Sequence, residues 1–178
     1  MRIISGINKG RKINAPKKLP VRPTTDQAKE ALFNIISNNY FFSELSVLDL
    51  FTGSGNISYE FSSRGTKKIT CVDSNKNCIK FVQKISNDLS LNLNIIKSDV
   101  YTFLKRDNTH YDIIFADPPY DFEYINYEKV VQLIIENKIL NNGGLIILEH
   151  SKNKILKNIL NYSETREYGG CCFSFFKI

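Results

Sequence analysis

The stretch VLDLFTGSGN, residues 47–56, joins a short apolar run to a turn that contains two glycines. Short apolar runs that end at turn residues are typical of buried strands. The following residues, NISYEFSSRG, predict a helix that ends at Gly65. Gly53 and Gly55 therefore lie between a strand and a helix, where a backbone without Cβ atoms can approach a ligand closely. This stretch predicts one unit of an α/β fold.

Strand and helix patterns alternate along the rest of the chain. We predict strands at SVLDLF, KITCVD, LNIIKSD, YDIIFAD and GGLIILEH, and a closing hairpin formed by SETREY and CCFSFFKI. We predict helices at TTDQAKEALFNIISNN, NKNCIKFVQKISNDL, VYTFLKRD, YEKVVQLIIENKIL and KILKNILNY, the first with Thr24 and Gln27 at capping-box spacing. Such alternation predicts an α/β fold with a mostly parallel seven-stranded sheet and helices on both faces.

The amino-terminal part of the chain carries the excess positive charge. The formal net charge is +6, and residues 1–30 alone account for it, because acidic and basic residues balance in the remainder. RIISG and RKINAP, on either side of INKG, predict a small basic β-hairpin. We predict residues 1–23 to be a basic extension and residues 24–178 to form one domain. Charge confined to one end favours a polyanionic partner over a solvated tail.

The composition indicates a globular protein, with 42% hydrophobic and 24% charged residues. The amino-terminal residues lack the pattern of a secretory signal, and no apolar run approaches the length of a membrane span. Four cysteines without a C-x-x-C pair, together with two histidines, make a zinc site an unsupported reading. We therefore expect a cytoplasmic protein with reduced thiols, no membrane partner and no metal.

Three acidic residues stand at or near the ends of successive predicted strands: Asp49, Asp73 and Asp99. The first precedes the glycine turn, the second can accept hydrogen bonds from both hydroxyls of a ribose, and the third can hold an adenine amino group. Each alone is also explained as a strand-end or helix-cap residue. Ser58 stands at the third position of the G-x-G-x-x-G pattern, which weakens a phosphate-binding interpretation. Three acids facing one crevice favour a nucleoside site.

Residues 117–120, DPPY, follow the strand YDIIFA and must end it, because proline cannot donate to a sheet ladder. Asp117 and the carbonyl of Pro118 can both accept hydrogen bonds from a planar amine. The ring of Tyr120 offers a stacking face for a nucleic-acid base. A plain strand-to-loop turn is the alternative, but it does not explain four specified residues that are paired with an upstream glycine turn.

DLFTGSG followed by DPPY resembles the class I S-adenosylmethionine-dependent methyltransferases that modify exocyclic amines. The segments RIISG, GRK, RPTTDQAKEALFNII, LDLFTGSG, SRG, FADPPY and EH together resemble the RsmD family, which methylates the N2 amine of a guanine in small-subunit ribosomal RNA. The resemblance implies a Rossmann-like fold, S-adenosyl-L-methionine as cofactor, and a monomer that acts on ribosomal RNA within a small-subunit assembly particle.

The resemblance also implies a role for each matching position. The implied cofactor contacts are Asp49, Gly53, Gly55, Asp73, Asp99 and Val100. The implied pocket for the target base consists of Asp117, Pro118, Pro119 and Tyr120, and Asp117, Pro118 and Tyr120 are the implied catalytic residues. RNA contacts are expected from Arg2, Arg11, Lys12, Arg22, Thr24 and Thr25, of which the last three are equally well explained as a turn and a helix cap. The chain departs from the family pattern at Lys29, Asn56, Ser58 and Tyr59.

Three alternatives remain open on the sequence. An adenine-N6 methyltransferase of DNA or RNA would use the same DPPY motif, although such enzymes usually carry an extra recognition segment. An NAD-dependent oxidoreductase would explain the glycine turn and Asp73 but not DPPY. An RNA-binding assembly factor that has lost its activity would explain the charge but not an intact site.

Overall fold

The computed structural model describes residues 1–16, 19 and 24–178. Its helices are α1 (Asp26–Ser37), α2 (Asn56–Ser63), α3 (Lys76–Asp88), α4 (Val100–Leu104) and α5 (Tyr124–Glu136), with a 3₁₀ turn at Phe42–Glu44. Its strands are β1 (Ser46–Leu50), β2 (Lys68–Asp73), β3 (Leu93–Lys97), β4 (Tyr111–Ala116), β5 (Leu140–Ser151), β6 (Tyr162–Tyr168) and β7 (Cys171–Lys177).

The seven strands form one sheet in the order β3-β2-β1-β4-β5-β7-β6. Strands β1 to β5 are parallel, whereas β7 runs antiparallel to both β5 and β6. The predicted fold class and the closing hairpin are therefore confirmed. The strand order reverses between β1 and β4, and open α/β sheets bind ligands beyond the carboxyl ends of the strands at such a point.

The core lies on both faces of the sheet, because successive strand residues point to opposite sides. Leu48, Leu50 and Ile114 pack against α4 and α5 on one face, whereas Val47 and Ile113 pack against α1 and α2 on the other. All five side chains are completely buried. Strands covered on both faces read as continuous apolar runs, which explains the pattern of VLDL and DIIFA. Of the helices that the structure describes, none is long and apolar enough to cross a membrane.

The amino-terminal segment has less antiparallel backbone pairing than the predicted hairpin. Its antiparallel pairing is a single bridge between Arg2 and Lys12, without regular strands on either side. Ile3 and Ile13 are buried in a small apolar cluster with Tyr59 and Val82. The described part of the segment thus packs on α2 and α3. The predicted domain division after residue 23 stays a prediction, because residues 20–23 lie outside the described part.

Two local predictions are wrong. Residues 154–161 form an irregular segment with turns instead of a helix, because only Leu156 and Ile159 of this segment's larger apolar side chains are buried, while Ile155 and Leu160 are largely exposed. The cap of α1 is Thr25, one residue later than predicted, and its hydroxyl accepts a hydrogen bond from the backbone N–H of Ala28. The hydroxyl of Thr24, the predicted cap, is instead used in a contact with β5.

Candidate active site

A cavity of about 390 Å³ opens at the carboxyl ends of β1 and β4. The turn after β1, the DPPY loop after β4 and the end of β5 form its walls. Its size falls within the range of small-molecule sites. Four carboxyl groups are among the side chains described around it: Asp49, Asp73, Asp117 and Glu149.

The turn after β1 needs residues that adopt left-handed backbone conformations. Phe51, Gly53 and Gly55 have φ angles of 58°, 53° and 79°. A Cβ atom on Gly55 would stand 2.4 Å from the ring of Tyr59, so only glycine fits there. The backbone N–H of Gly53 donates a 2.8 Å hydrogen bond to Asp73 Oδ2, which ties the turn to the end of β2.

Asp49 is buried beneath this turn and accepts hydrogen bonds from two hydroxyls. Thr52 Oγ1 donates at 2.7 Å, and Ser58 Oγ donates a second, shorter bond. Burial raises the pKa of Asp49 to about 6, although both hydrogen bonds oppose the rise. Ser58, which departs from the glycine pattern, is thus a partner of Asp49, and this role could not be read from the spacing of the glycines.

Asp73 has the acceptor capacity that a ribose diol requires. Its Oδ2 accepts from Gly53 N and its Oδ1 accepts from Asn75 N at 2.7 Å. A carboxylate has about four lone-pair sites, so each oxygen keeps the capacity to accept one more hydrogen bond. The side chain is half-buried at the cavity wall. These features fit the predicted contact with the cofactor's ribose.

Asp99 and Val100 lie apart from the other predicted cofactor residues. Asp99 is exposed, and its side chain caps α4 by accepting from the backbone N–H of Thr102 at 3.0 Å. Val100 is buried in the apolar core. Neither residue is among those that line the cavity. Their predicted contacts with an adenine ring stay a prediction.

Asp117 extends β4 by one hydrogen bond, from its backbone N–H to the carbonyl of Leu50 at 3.4 Å. The pKa of the Asp117 carboxyl is raised well above its ordinary value, first by burial and then by the charges of Glu149 and Asp49. Pro118 is buried, whereas Pro119 and Tyr120 are exposed at the cavity mouth. The structure therefore brings the predicted residues of the DPPY loop to the same cavity as the glycine turn.

Several cavity residues were not predicted from the sequence. Glu149, at the end of β5, is 7% exposed and accepts a 2.7 Å hydrogen bond from Thr24 Oγ1. The buried ring of Tyr127 lies nearby, and the charges of Asp117 and Glu149 add to burial in raising the pKa of its phenol. Lys154 donates to the backbone carbonyl of Phe122 and is the one lysine or arginine among the described lining residues. The signal available in the sequence was the position of Glu149 near the carboxyl end of the predicted strand GGLIILEH.

The basic residues that were predicted to contact RNA are exposed wherever the structure describes them. Arg11 and Lys12 are exposed, as is Lys9. Arg2 forms an ion pair with Asp26 at 3.1 Å. Thr25 is exposed at its helix cap, and Arg22 lies outside the described residues. Within the described part of the chain, no group of three or more His, Cys, Asp or Glu side chains is placed to hold a metal ion.

Comparison with known proteins finds similarity along the whole chain. The family model described as Conserved hypothetical protein 95 matches residues 1–177. The chain is 37% identical to Ribosomal RNA small subunit methyltransferase D of Buchnera aphidicola subsp. Baizongia pistaciae, over 88% of this chain and 80% of that protein. It is 34% identical to the protein of the same name from Haemophilus influenzae, over 94% of this chain and 87% of that protein. The solved structure of a putative methyltransferase, yhhF, from Escherichia coli superimposes with a TM-score of 0.85 at 29% identity, covering 99% and 96% of the two chains.

Proposed function

This chain belongs to the Conserved hypothetical protein 95 family, which includes the Ribosomal RNA small subunit methyltransferase D proteins, and we propose that it methylates the N2 amine of a guanine in small-subunit ribosomal RNA. The methyl donor is S-adenosyl-L-methionine. The protein acts as a cytoplasmic monomer on RNA within a small-subunit assembly particle.

One juxtaposition carries this proposal. Asp117 and Pro118 follow β4, the strand next to β1, and they line the same cavity as the glycine turn after β1. An amine held by Asp117 and Pro118 is then next to a cofactor held by the glycine turn. An oxidoreductase has no use for two acceptors aimed at an amine, and a protein that only binds RNA has no use for the buried acids.

The chain's residues position the amine for an in-line displacement. The Asp117 carboxyl and the carbonyl of Pro118 accept the two N–H bonds of the amine, so the nitrogen lone pair points into the cavity. The bound cofactor supplies an electrophilic methyl group on a sulfonium. Positioning of this kind recovers about 7–11 kcal/mol in well-oriented reactions.

The proton balance requires no strong base. As the nitrogen–carbon bond forms, the nitrogen becomes positively charged and its N–H bonds become acidic. The ionised Asp117 carboxylate is already hydrogen-bonded to one of these N–H groups. It accepts the proton of that group and passes it to solvent at the exposed mouth beside Tyr120. The Tyr120 ring stacks on the base, which contributes about 1–3 kcal/mol.

Mass mapping of ribosomal RNA tests the proposal directly. Small-subunit RNA from cells with and without this protein is digested and its methylated guanines are located. The purified protein is then expected to restore the missing N2-methylguanine in vitro, and methylated adenine in its place would overturn the assignment.

Replacing Asp73 tests the cofactor site. Asp73→Asn should weaken the affinity for the demethylated cofactor about 10–100-fold, because hydrogen bonds to a charged acceptor contribute about 1.5–3 kcal/mol. Isothermal titration calorimetry measures the change. Asp88→Asn removes an exposed carboxylate at the end of α3 and serves as the control. Equal affinities for the wild type and Asp73→Asn would move the cofactor elsewhere.

Replacing the exposed basic residues tests the RNA surface. Lys9, Arg11 and Lys12 are changed together to glutamine, because deleting the segment would also remove the buried Ile3 and Ile13. The slope of log affinity against log salt is negative, and each lost contact with a single-stranded phosphate makes it shallower by about 0.7. Losing three contacts should therefore make it shallower by about 2. The same triple change at the exposed Lys80, Lys84 and Lys105 is the charge-matched control. Identical slopes for both triple variants would place the RNA surface elsewhere.

A further inference from the structure

We propose that Glu149 selects guanine by accepting a hydrogen bond from its N1–H while Asp117 holds the adjacent N2 amine. The inference rests on the proposed function and assigns a second, base-specific contact to the same pocket.

Strand register brings the two carboxyl groups side by side. Strands β4 and β5 are parallel neighbours in which Ala116 is opposite Leu148. Asp117 directly follows β4, Glu149 is the next residue of β5, and both line the cavity. Because residues opposite each other on neighbouring strands point to the same face of a sheet, the two carboxyls face the same space.

A chain of hydrogen bonds orients Glu149. Thr24 Oγ1 donates to Glu149 Oε2 at 2.7 Å, and the backbone carbonyl of Thr24 accepts from Asn56 Nδ2 at 3.1 Å. Asn56 Oδ1 in turn accepts from the buried ammonium of Lys29 at 2.8 Å. The carboxylate is therefore held in one orientation at the cavity wall. A carboxylate has about four acceptor sites, so it retains capacity for a ligand donor beside its protein donors.

Two acids side by side at a cavity favour a ligand that offers hydrogen-bond donors. Burial and the charge of Glu149 both raise the pKa of the Asp117 carboxyl. Lys154, the lysine at this wall, is directed to the carbonyl of Phe122. A ligand with two adjacent N–H donors offsets the repulsion between the two carboxyl groups.

Guanine presents that pattern, and adenine does not. On the Watson–Crick edge of guanine the N2 amine and N1–H are neighbouring donors. On the same edge of adenine the N6 amine is next to N1, which carries a lone pair and accepts hydrogen bonds. A carboxylate that faces N1 attracts guanine and repels adenine, and a site built around such a hydrogen bond strongly rejects a base that lacks the donor. Glu149 thus distinguishes two amines that DPPY alone treats alike.

The test uses an RNA fragment in which the methylated guanine is replaced by 2-aminopurine. This base keeps the amine but has an acceptor at N1. The wild-type protein should methylate it about 10–100-fold more slowly than guanine, as expected for one specific hydrogen bond to a base. Glu149→Gln should methylate guanine more slowly and 2-aminopurine faster, because the glutamine amide can donate to N1. The missing O6 of 2-aminopurine affects both proteins and cancels from the comparison.

A second variant keeps the test valid if Glu149→Gln folds poorly, which circular dichroism and cofactor titration would reveal. Thr24→Val removes the hydroxyl that orients Glu149 and should lower the guanine preference, whereas Thr24→Ser retains the hydroxyl and should restore it. If Glu149→Gln and Thr24→Val still methylate guanine and keep the wild-type preference for guanine over 2-aminopurine, the role of Glu149 is overturned while the proposed function stands. Adenine methylation by the wild type would overturn the proposed function as well.

Discussion

Replacing Asp117 with asparagine is expected to lower the rate of methyl transfer by about 100-fold or more, the usual range for a group that hydrogen-bonds the reacting atom. The affinity for the cofactor should stay close to that of the wild type, because Asp117 is proposed to hold the amine and the predicted cofactor contacts are made by other residues of the cavity. A tritium methyl-transfer assay measures the rate, and calorimetric titration with the demethylated cofactor measures the affinity. Near-normal turnover would remove Asp117 from the mechanism.

The same variant should be more stable than the wild type above neutral pH. The pKa of Asp117 is raised in the folded protein by burial and by Glu149, so folding favours the protonated acid. The stability that this proton contributes is complete below the unfolded pKa of 3.8 and is lost as the pH rises through the folded pKa. Asparagine removes this penalty, and each 1 kcal/mol gained raises Tm by about 2–4 °C in a protein of this size.

Asp121→Asn is the matched control for both measurements. Asp121 is exposed in the loop that follows DPPY, so its replacement changes the net charge equally without entering the cavity. We expect wild-type activity and an almost unchanged Tm from this variant. A Tm for Asp117→Asn below that of Asp121→Asn at pH 8 would contradict the cost assigned to the buried acid.

The fold was predictable because its signals are local. The apolar run before Gly53, the glycines of its turn and the prolines after Asp117 each fix a strand end within a few residues. Once five strands alternate with helices, a parallel sheet places those strand ends at one edge. The glycine turn and DPPY therefore met as expected, without any knowledge of the strand order.

The roles that the sequence did not reveal depend on partners far along the chain. Glu149 lies near the end of a strand much like the others, and only the neighbouring position of β4 and β5 places it beside Asp117. Ser58 interrupts a glycine pattern, yet it is one of two hydroxyl donors to the buried Asp49. The segment KILKNILNY has the spacing of a short helix, but two of its apolar side chains have no core to enter. Tertiary packing decided each of these cases.

Lys29 is the residue whose surroundings differ most from what its local sequence predicts. Its buried ion pair leads to a prediction with a large effect on stability. A lysine on an amphipathic helix is ordinarily exposed, but this side chain is completely buried and ion-paired with Glu60 at 3.4 Å. Glu60 is also completely buried and accepts from the backbone N–H groups of Ile4 at 2.8 Å and Ser5 at 3.0 Å. One buried acid therefore attaches the amino-terminal segment to both α1 and α2.

Glu60→Ala should lower the free energy of unfolding by about 3–5 kcal/mol, because it leaves a buried ammonium without its counter-ion and two N–H groups without an acceptor. Urea unfolding followed by circular dichroism measures the change. The control is Asp88→Ala, which breaks the exposed ion pair with Lys84 and should cost less than about 1 kcal/mol. Equal losses in the two variants would show that the buried pair contributes no more than a surface pair.

The pH dependence of the Glu60→Ala variant separates a stranded charge from a simple cavity. Burial lowers the pKa of Lys29, and Glu60 opposes that shift, so removing Glu60 lowers the pKa further. Below the folded pKa the full cost of burying the ammonium is present. Between that value and the ordinary pKa of 10.5 the unfolded chain binds the extra proton, and stability must rise with pH. A deficit that stays constant from neutral pH to pH 10 would instead mean that lost packing, not charge, destabilises the variant.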